Sequence, residues 1–110
     1  MATNQLHRGR LIDHVQLVVR DFKASETFYR AVMSVLDIPV FVMGDDYLMA
    51  DELVVSSVGS ATASGQLTGR HHLAFQAKDR ATVDAFYSAA LAHGGRDNGA
   101  PGLRAYHPSY

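Results

Sequence analysis

The chain has 110 residues, 47% of them hydrophobic, and its ten basic and eleven acidic residues give a formal net charge of −1. This length suits one compact domain, and the balanced charge offers no basic surface of the kind that binds nucleic acid or anionic lipid. The chain has no cysteine, which excludes disulfides and thiolate catalysis, so any metal ion must be held by His, Asp, Glu or water.

The first nine residues are polar and show no periodicity, so residues 1–9 are predicted to be a mobile tail and residues 10–110 a single domain. The tail lacks the apolar core of a secretory signal. No apolar run in the sequence reaches the ~20 residues that span a bilayer. The sequence therefore predicts a cytoplasmic protein without a membrane partner.

The first predicted strand covers Leu11 to Arg20, where side chains alternate between an apolar face and a mixed one. Leu17 lies on the apolar face, which a helix is expected to cover. His14 and Gln16 lie on the opposite face. The strand is therefore predicted to present these two polar side chains away from the helix.

An amphipathic helix is predicted next, because apolar residues recur at spacings of three and four between Phe22 and Leu36. Asp21 is placed to cap its first turn, and Pro39 bounds it on the far side. Turn-forming residues then separate three short β-prone runs, at 40–43, 47–50 and 53–58. The first module, about residues 10–58, is therefore predicted to have the order β-α-β-β-β.

Residues 59–69 are rich in glycine and serine and are predicted to be a flexible linker. A second alternating stretch follows from His71 to Lys78 and predicts a second strand. Asp79 should cap a second helix, which is expected to stop at Gly94. Only one further strand is predicted, beginning near Leu103.

The second strand and helix repeat the first at a constant offset of 58 positions, as from His14 to His72. Identical residues at this offset include the pairs Asp21 and Asp79, Phe28 and Phe86, and Tyr29 and Tyr87. Such self-similarity indicates two copies of one structural unit. The second module, about residues 70–110, is shorter than the first and is expected to lack its last two strands.

Two histidines are the main candidates for chemistry, because His14 and His72 occupy equivalent faces of the two predicted strands. If the modules pack with pseudo-twofold symmetry, both imidazoles face one cavity, and imidazole is the commonest ligand of transition metals. Glu52 is the candidate carboxylate ligand or general base. Gln16 and Gln76 share the inner faces and are candidates for binding a polar substrate. For each of these residues an ordinary structural or surface role is the alternative.

The segments DHVQLVVRD and HHLAFQAKD each open a module, and FYRA and FYSA follow in the helices. This pattern resembles the vicinal oxygen chelate superfamily, which includes glyoxalase I, extradiol dioxygenases, fosfomycin-resistance proteins and bleomycin-resistance proteins. The resemblance implies an α+β fold in which two pseudo-symmetric β-α-β-β-β modules form a half-barrel cleft, with the second module incomplete. It also implies metal-binding histidines at His14 and His72, completed by carboxylates on the last strands, although Leu53 to Ser57 contains no carboxylate.

Two functions follow from this resemblance. One is a metal-dependent, glyoxalase-like lyase, isomerase or dioxygenase, in which Ni²⁺, Zn²⁺, Mn²⁺ or Fe²⁺ held by His14, His72 and Glu52 would act on a small oxygen-rich substrate as a Lewis acid. The alternative is a metal-free protein of the bleomycin-resistance type that binds a planar or amphipathic small molecule.

A homodimer is expected for either function, because an incomplete second module leaves a sheet edge that a second copy can cover. A ferredoxin-like β-α-β-β-α-β fold is a rival interpretation, since it too duplicates a strand and a helix. It is disfavoured because three β-prone runs, rather than two, separate the predicted helices.

Overall fold

The structure is a computed structural model that describes residues 11–105. It contains β1 (Val15–Val19), α1 (Phe22–Val35), β2 (Phe41–Met43), β3 (Tyr47–Ala50), β4 (Leu53–Ser57) and α2 (Arg80–Ala92). The predicted tail at residues 1–9, and the part of the predicted last strand beyond residue 105, lie outside the described residues. Within residues 11–105 no helix has the length and apolar character needed to cross a bilayer.

The four strands form one sheet in the order β1-β4-β3-β2. β1 runs parallel to β4, with Leu17 opposite Val55, whereas β4 with β3 and β3 with β2 pair antiparallel. The α+β class and the β-α-β-β-β order of the first module are therefore confirmed. Because three strands separate the two helices, the ferredoxin-like order is wrong.

Local hydrogen bonds set both ends of α1. The Asp21 carboxylate accepts from the backbone N–H of Ala24 at 3.1 Å, as predicted for an N-cap. At the other end Asp37 adopts a left-handed conformation with φ 59°, and the N–H of Ile38 donates to the carbonyl of Met33 at 2.9 Å. This Schellman motif ends the helix at Val35, four residues before the proline that was expected to bound it.

The hydrophobic core lies between α1 and the sheet. Every buried hydrophobic residue in the described part of the chain belongs to the first module: Leu17, Val18, Phe22, Val32, Met33, Leu48, Ala50, Leu53 and Val55. Each fully buried Val, Leu, Phe or Met side chain contributes about 1.5–3 kcal/mol relative to an exposed one. The first module therefore supplies the apolar burial that stabilises the fold.

The second module keeps its helix but not its strand. The Asp79 carboxylate caps α2 as predicted, accepting from the N–H of Thr82 at 2.8 Å and from its hydroxyl at 2.6 Å. The strand predicted for His71 to Lys78 is wrong: residues 71–77 have no strand pairing in the described sheet. A strand needs a neighbouring ladder, and residues 59–105 contain no counterpart of β4. Residues 103–105 are likewise not a strand.

Candidate functional site

A cavity of about 620 Å³, here called the aromatic cavity, lies between α1, residues 71–77 and α2. Four aromatic side chains line it: Phe28, Tyr29, Phe75 and Phe86. The rings of Phe28 and Tyr29 meet edge to face with centroids 5.1 Å apart, and those of Phe75 and Phe86 are tilted at 6.0 Å. A concave, mostly apolar space of this size is the usual form of a small-molecule site.

Three polar side chains also line the aromatic cavity: His71, His72 and Asn98. Nδ1 of His71 lies 2.9 Å from the carbonyl oxygen of Gly69. Because a carbonyl only accepts hydrogen bonds, Nδ1 carries the proton and Nε2 is left as an acceptor. The cavity therefore combines an aromatic wall with one imidazole whose tautomer is set by the backbone.

His71 was not predicted from the sequence as a residue of the site. Alternation along a regular strand directs this side chain away from the face of His72, but no strand forms at residues 71–77, and both rings line the same cavity. The one local feature of the sequence that could have indicated this role of His71 is Gly69, two residues earlier. Its carbonyl direction depends on the folded connector, so the sequence alone does not show the hydrogen bond.

A hydrogen bond between Tyr87 and Asp97 holds the segment that carries Asn98. The Tyr87 hydroxyl donates to Oδ2 of Asp97 at 2.7 Å, and the N–H of Gly99 donates to Oδ1 at 2.8 Å. The bond from Tyr87 lowers the pKa of Asp97, with a smaller effect from the Gly99 N–H. The same bond raises the pKa of Tyr87. These contacts anchor the residues on both sides of Asn98 at the cavity wall.

The predicted metal ligands lie at three different places. His14 precedes β1 and is exposed, and its Nδ1 lies 2.9 Å from Oδ1 of Asp13. His72 lines the aromatic cavity, whereas Glu52 lines a second cavity of about 450 Å³. Residues 11–105 contain no group of three or more His, Asp or Glu side chains placed to hold a metal ion. As arranged here, these residues do not fit a three-ligand metal centre.

The two glutamines proposed from the sequence have different surroundings. Gln76 lines the second cavity together with Glu52. The Gln16 amide nitrogen donates to the Ser56 hydroxyl at 3.1 Å and to the Thr62 carbonyl at 2.7 Å. Its oxygen accepts from the N–H of Ser64 at 3.0 Å. Gln16 therefore uses both ends of its amide to hold the connector against the sheet.

The connector at residues 59–69 has defined contacts along the outer edge of β1. The N–H of Thr68 donates to the carbonyl of Val18 at 3.0 Å, and the Thr68 hydroxyl accepts from the N–H of Val18 at 2.7 Å. The segment that was predicted to be a linker therefore forms hydrogen bonds with β1. Its hydrogen bonds satisfy backbone groups on a strand edge that other chains could otherwise pair with.

Comparison with known proteins agrees with this architecture. The model of one family, described as the Glyoxalase/Bleomycin resistance protein/Dioxygenase superfamily, matches residues 11–110. No curated protein matches the chain. The family match extends from the first residues before β1 through both helices, and the sheet has the β-α-β-β-β module that the sequence resemblance implied. The chain therefore belongs to the Glyoxalase/Bleomycin resistance protein/Dioxygenase superfamily.

Proposed function

We propose that this protein binds a small planar aromatic molecule in the aromatic cavity, as a metal-free binding protein of the bleomycin-resistance type. The observation that carries the proposal is the wall of four aromatic side chains around a space of about 620 Å³. Aromatic rings contribute large apolar area with little conformational freedom to lose, and they stack on a planar ligand.

The cavity wall still exposes apolar surface to water. Leu73, Phe75 and Val83 are 39%, 38% and 42% exposed, although all three line the cavity. A ligand that covers this surface would gain about 25 cal/mol for each Å² of apolar area removed from water. The exposed apolar surface of the cavity wall is thus the main source of affinity for an aromatic ligand.

The polar groups of the wall favour a ligand with a ring hydroxyl or amine. His72 lines this wall, and its neutral imidazole offers one acceptor nitrogen and one donor N–H. Asn98 adds an amide at the same wall. A few such groups within an apolar cavity set the orientation of a ligand, while the aromatic wall supplies most of the contact area.

Isothermal titration calorimetry with 2-naphthol and with metal-free bleomycin tests this proposal. We expect saturable binding of at least one probe, and a loss of at least about tenfold, or 1.4 kcal/mol, in Phe75→Ala. Phe41→Ala is the matched control, because Phe41 lies on β2, is 57% exposed and does not line the cavity. Absence of saturable binding by the wild type, or equal loss in both variants, would contradict the proposal.

A metal-dependent, glyoxalase-like enzyme is the second candidate. The aromatic cavity with His72 and the second cavity with Glu52 are adjacent, since both are lined by Leu36 and residues 73–75. For this candidate we expect stoichiometric Zn²⁺ or Ni²⁺ binding that is abolished in both His14→Ala and His72→Ala. Unchanged binding in either variant would reject it.

We also propose that two copies of the chain associate through the second module. Residues 71–77 carry exposed apolar side chains, including Leu73 and Phe75, and have no strand partner among residues 11–105. Pairing of this backbone with a second copy would satisfy its peptide groups and leave the side chains of the cavity wall in place. Sedimentation velocity should report the mass of two chains. A monomer that persists at high concentration would contradict this.

A further inference from the structure

Two histidines outside the predicted metal site share an unusual position. His71, after the connector, and His93, the C-cap of α2, both line a third cavity of about 320 Å³. Its remaining wall comes from β1, α1, Thr68 and Gly94. A cavity needs only about 10–15 Å³ of such volume to admit one water molecule, so this cavity has room for water. The two imidazoles therefore border the same cavity.

Both rings are held in the same way by the backbone. Nδ1 of His71 lies 2.9 Å from the Gly69 carbonyl oxygen, and Nδ1 of His93 lies 2.8 Å from the Ala89 carbonyl oxygen. Because each carbonyl is only an acceptor, each neutral ring carries its proton on Nδ1 and a lone pair on Nε2. Histidines that bind metals usually donate their other N–H to a carbonyl or carboxylate in this manner.

We propose that His71 and His93 form a site for one first-row transition-metal ion, such as Zn²⁺ or Cu²⁺. Imidazole nitrogen suits these ions, and the cavity has room for the water that would complete the coordination. The site uses neither His14 nor His72, so it is separate from the ligands that the repeat suggested. By joining the end of the connector to the end of α2, the ion would also stabilise the second module.

Variants to asparagine test the site with little disturbance of the backbone contacts. The asparagine side chain can still donate to Gly69 or Ala89 through its amide, but it lacks the nitrogen equivalent to Nε2. Calorimetric titration of the full chain with Zn²⁺ should show one ion per chain. Binding should weaken at least about tenfold in His71→Asn and in His93→Asn. His72→Asn and His14→Asn, the controls, should bind as the wild type does.

The outcomes separate this site from the predicted one. No Zn²⁺ binding by the wild type overturns the proposal. Loss in His14→Asn or His72→Asn, with binding retained in His71→Asn and His93→Asn, also overturns it and assigns the ion to the ligands predicted from the repeat.

A measurement on the wild type alone covers the case in which a variant does not fold. Sub-stoichiometric Cu²⁺ is paramagnetic and broadens NMR signals of nearby protons. The imidazole signals of His71 and His93 should broaden first. Broadening that begins at other histidines overturns the assignment.

Discussion

The two modules begin with matching strand and helix sequences and differ in what those sequences bury. Leu17 in the first module is 5% exposed, whereas Phe75, at the matched position of the second, is 38% exposed. α1 has three buried residues, and none of the described residues of α2 is buried. The repeated segment therefore forms its helix in both modules, but buries its apolar side chains only where a sheet covers them.

The helix starts are the feature that both modules share. Asp21 and Asp79 each accept a backbone N–H three residues later, at 3.1 and 2.8 Å. These bonds involve only neighbouring residues, so they form whether or not a sheet is present. Strand pairing requires partners far away in sequence, and in the second module those partners do not occur among the described residues.

The largest effect that the comparison predicts is on core stability. Leu17→Ala should lower the free energy of unfolding by about 2–5 kcal/mol, because it leaves a cavity beneath α1. Leu73→Ala is the same change in the second module, at a residue that is not buried. It should lower the free energy of unfolding by less than about 1 kcal/mol. Urea denaturation of both variants measures the difference. Equal losses would show that residues 71–77 belong to the core.

The next effect concerns the two glutamines. Gln16→Ala leaves the N–H of Ser64 without its side-chain acceptor and should lower the free energy of unfolding by about 0.5–1.5 kcal/mol, because Ser64 is exposed and water can replace the acceptor. Hydrogen exchange at Thr62 and Ser64 should become faster, because the connector loses its attachment to the sheet. Gln76→Ala is the control and should leave these amides unchanged. If exchange at the connector is the same in all three proteins, Gln16 does not hold it.

A smaller effect is expected at the helix caps. Asp21→Ala should lower the free energy of unfolding by about 1 kcal/mol, because the first turn of α1 loses an acceptor and α1 packs on the core. Asp79→Ala should fray the start of α2 and change global unfolding less, since α2 contributes no buried residue. Circular dichroism and hydrogen exchange at Thr82 distinguish the two outcomes. A larger global loss in Asp79→Ala would contradict the comparison.

The Asp79 cap also predicts a pH dependence for α2. Hydrogen bonds from the Thr82 hydroxyl and N–H lower the pKa of Asp79 below its ordinary value of 3.8. A carboxylate with a lowered pKa stabilises the folded state above the ordinary value, and this stability is lost as pH falls through the lowered value. Helical signal from α2 should therefore persist at mild acidity. Fraying that begins near neutral pH would require another titrating group.

The smallest effect is local to the end of the second module. Tyr87→Phe removes the hydrogen bond that lowers the pKa of Asp97, so that pKa should rise toward 3.8. Tyr29→Phe, at the matched position of the first module, should leave it unchanged. A carboxyl NMR titration measures both variants. The bond in the wild type is lost as pH falls through the pKa of Asp97 or rises through that of Tyr87. An unchanged Asp97 titration in Tyr87→Phe would contradict this contact.

The sequence predicted the elements whose causes are local or periodic. The alternation around Leu17, the spacing after Phe22 and the caps at Asp21 and Asp79 all predicted what the structure has. The same alternation predicted a strand at residues 71–78 that does not form, because periodicity reports which side chains could share a face and not whether a neighbouring strand exists.

The candidate site was less predictable than the fold. His72 was identified and lines the aromatic cavity, but Glu52 lies at another cavity, and Gln16 is engaged by the connector. The hydrogen bond of His71 depends on the path of the connector, which a glycine- and serine-rich sequence does not specify. Side-chain roles that rest on long-range backbone geometry were therefore beyond the sequence.

The central claim is that the repeated segment forms a ligand site in the second module and part of the hydrophobic core in the first. Chemical-shift mapping with 2-naphthol tests this claim most directly. Backbone amide signals would be followed across β1 to β4 and across residues 71–92 during the titration. We predict saturable shifts concentrated at residues 71–77 and around Val83 and Phe86, which line the aromatic cavity, with β2 and β3 unchanged. Saturable shifts confined to the sheet, or no saturable shift at residues 71–86, would contradict the account.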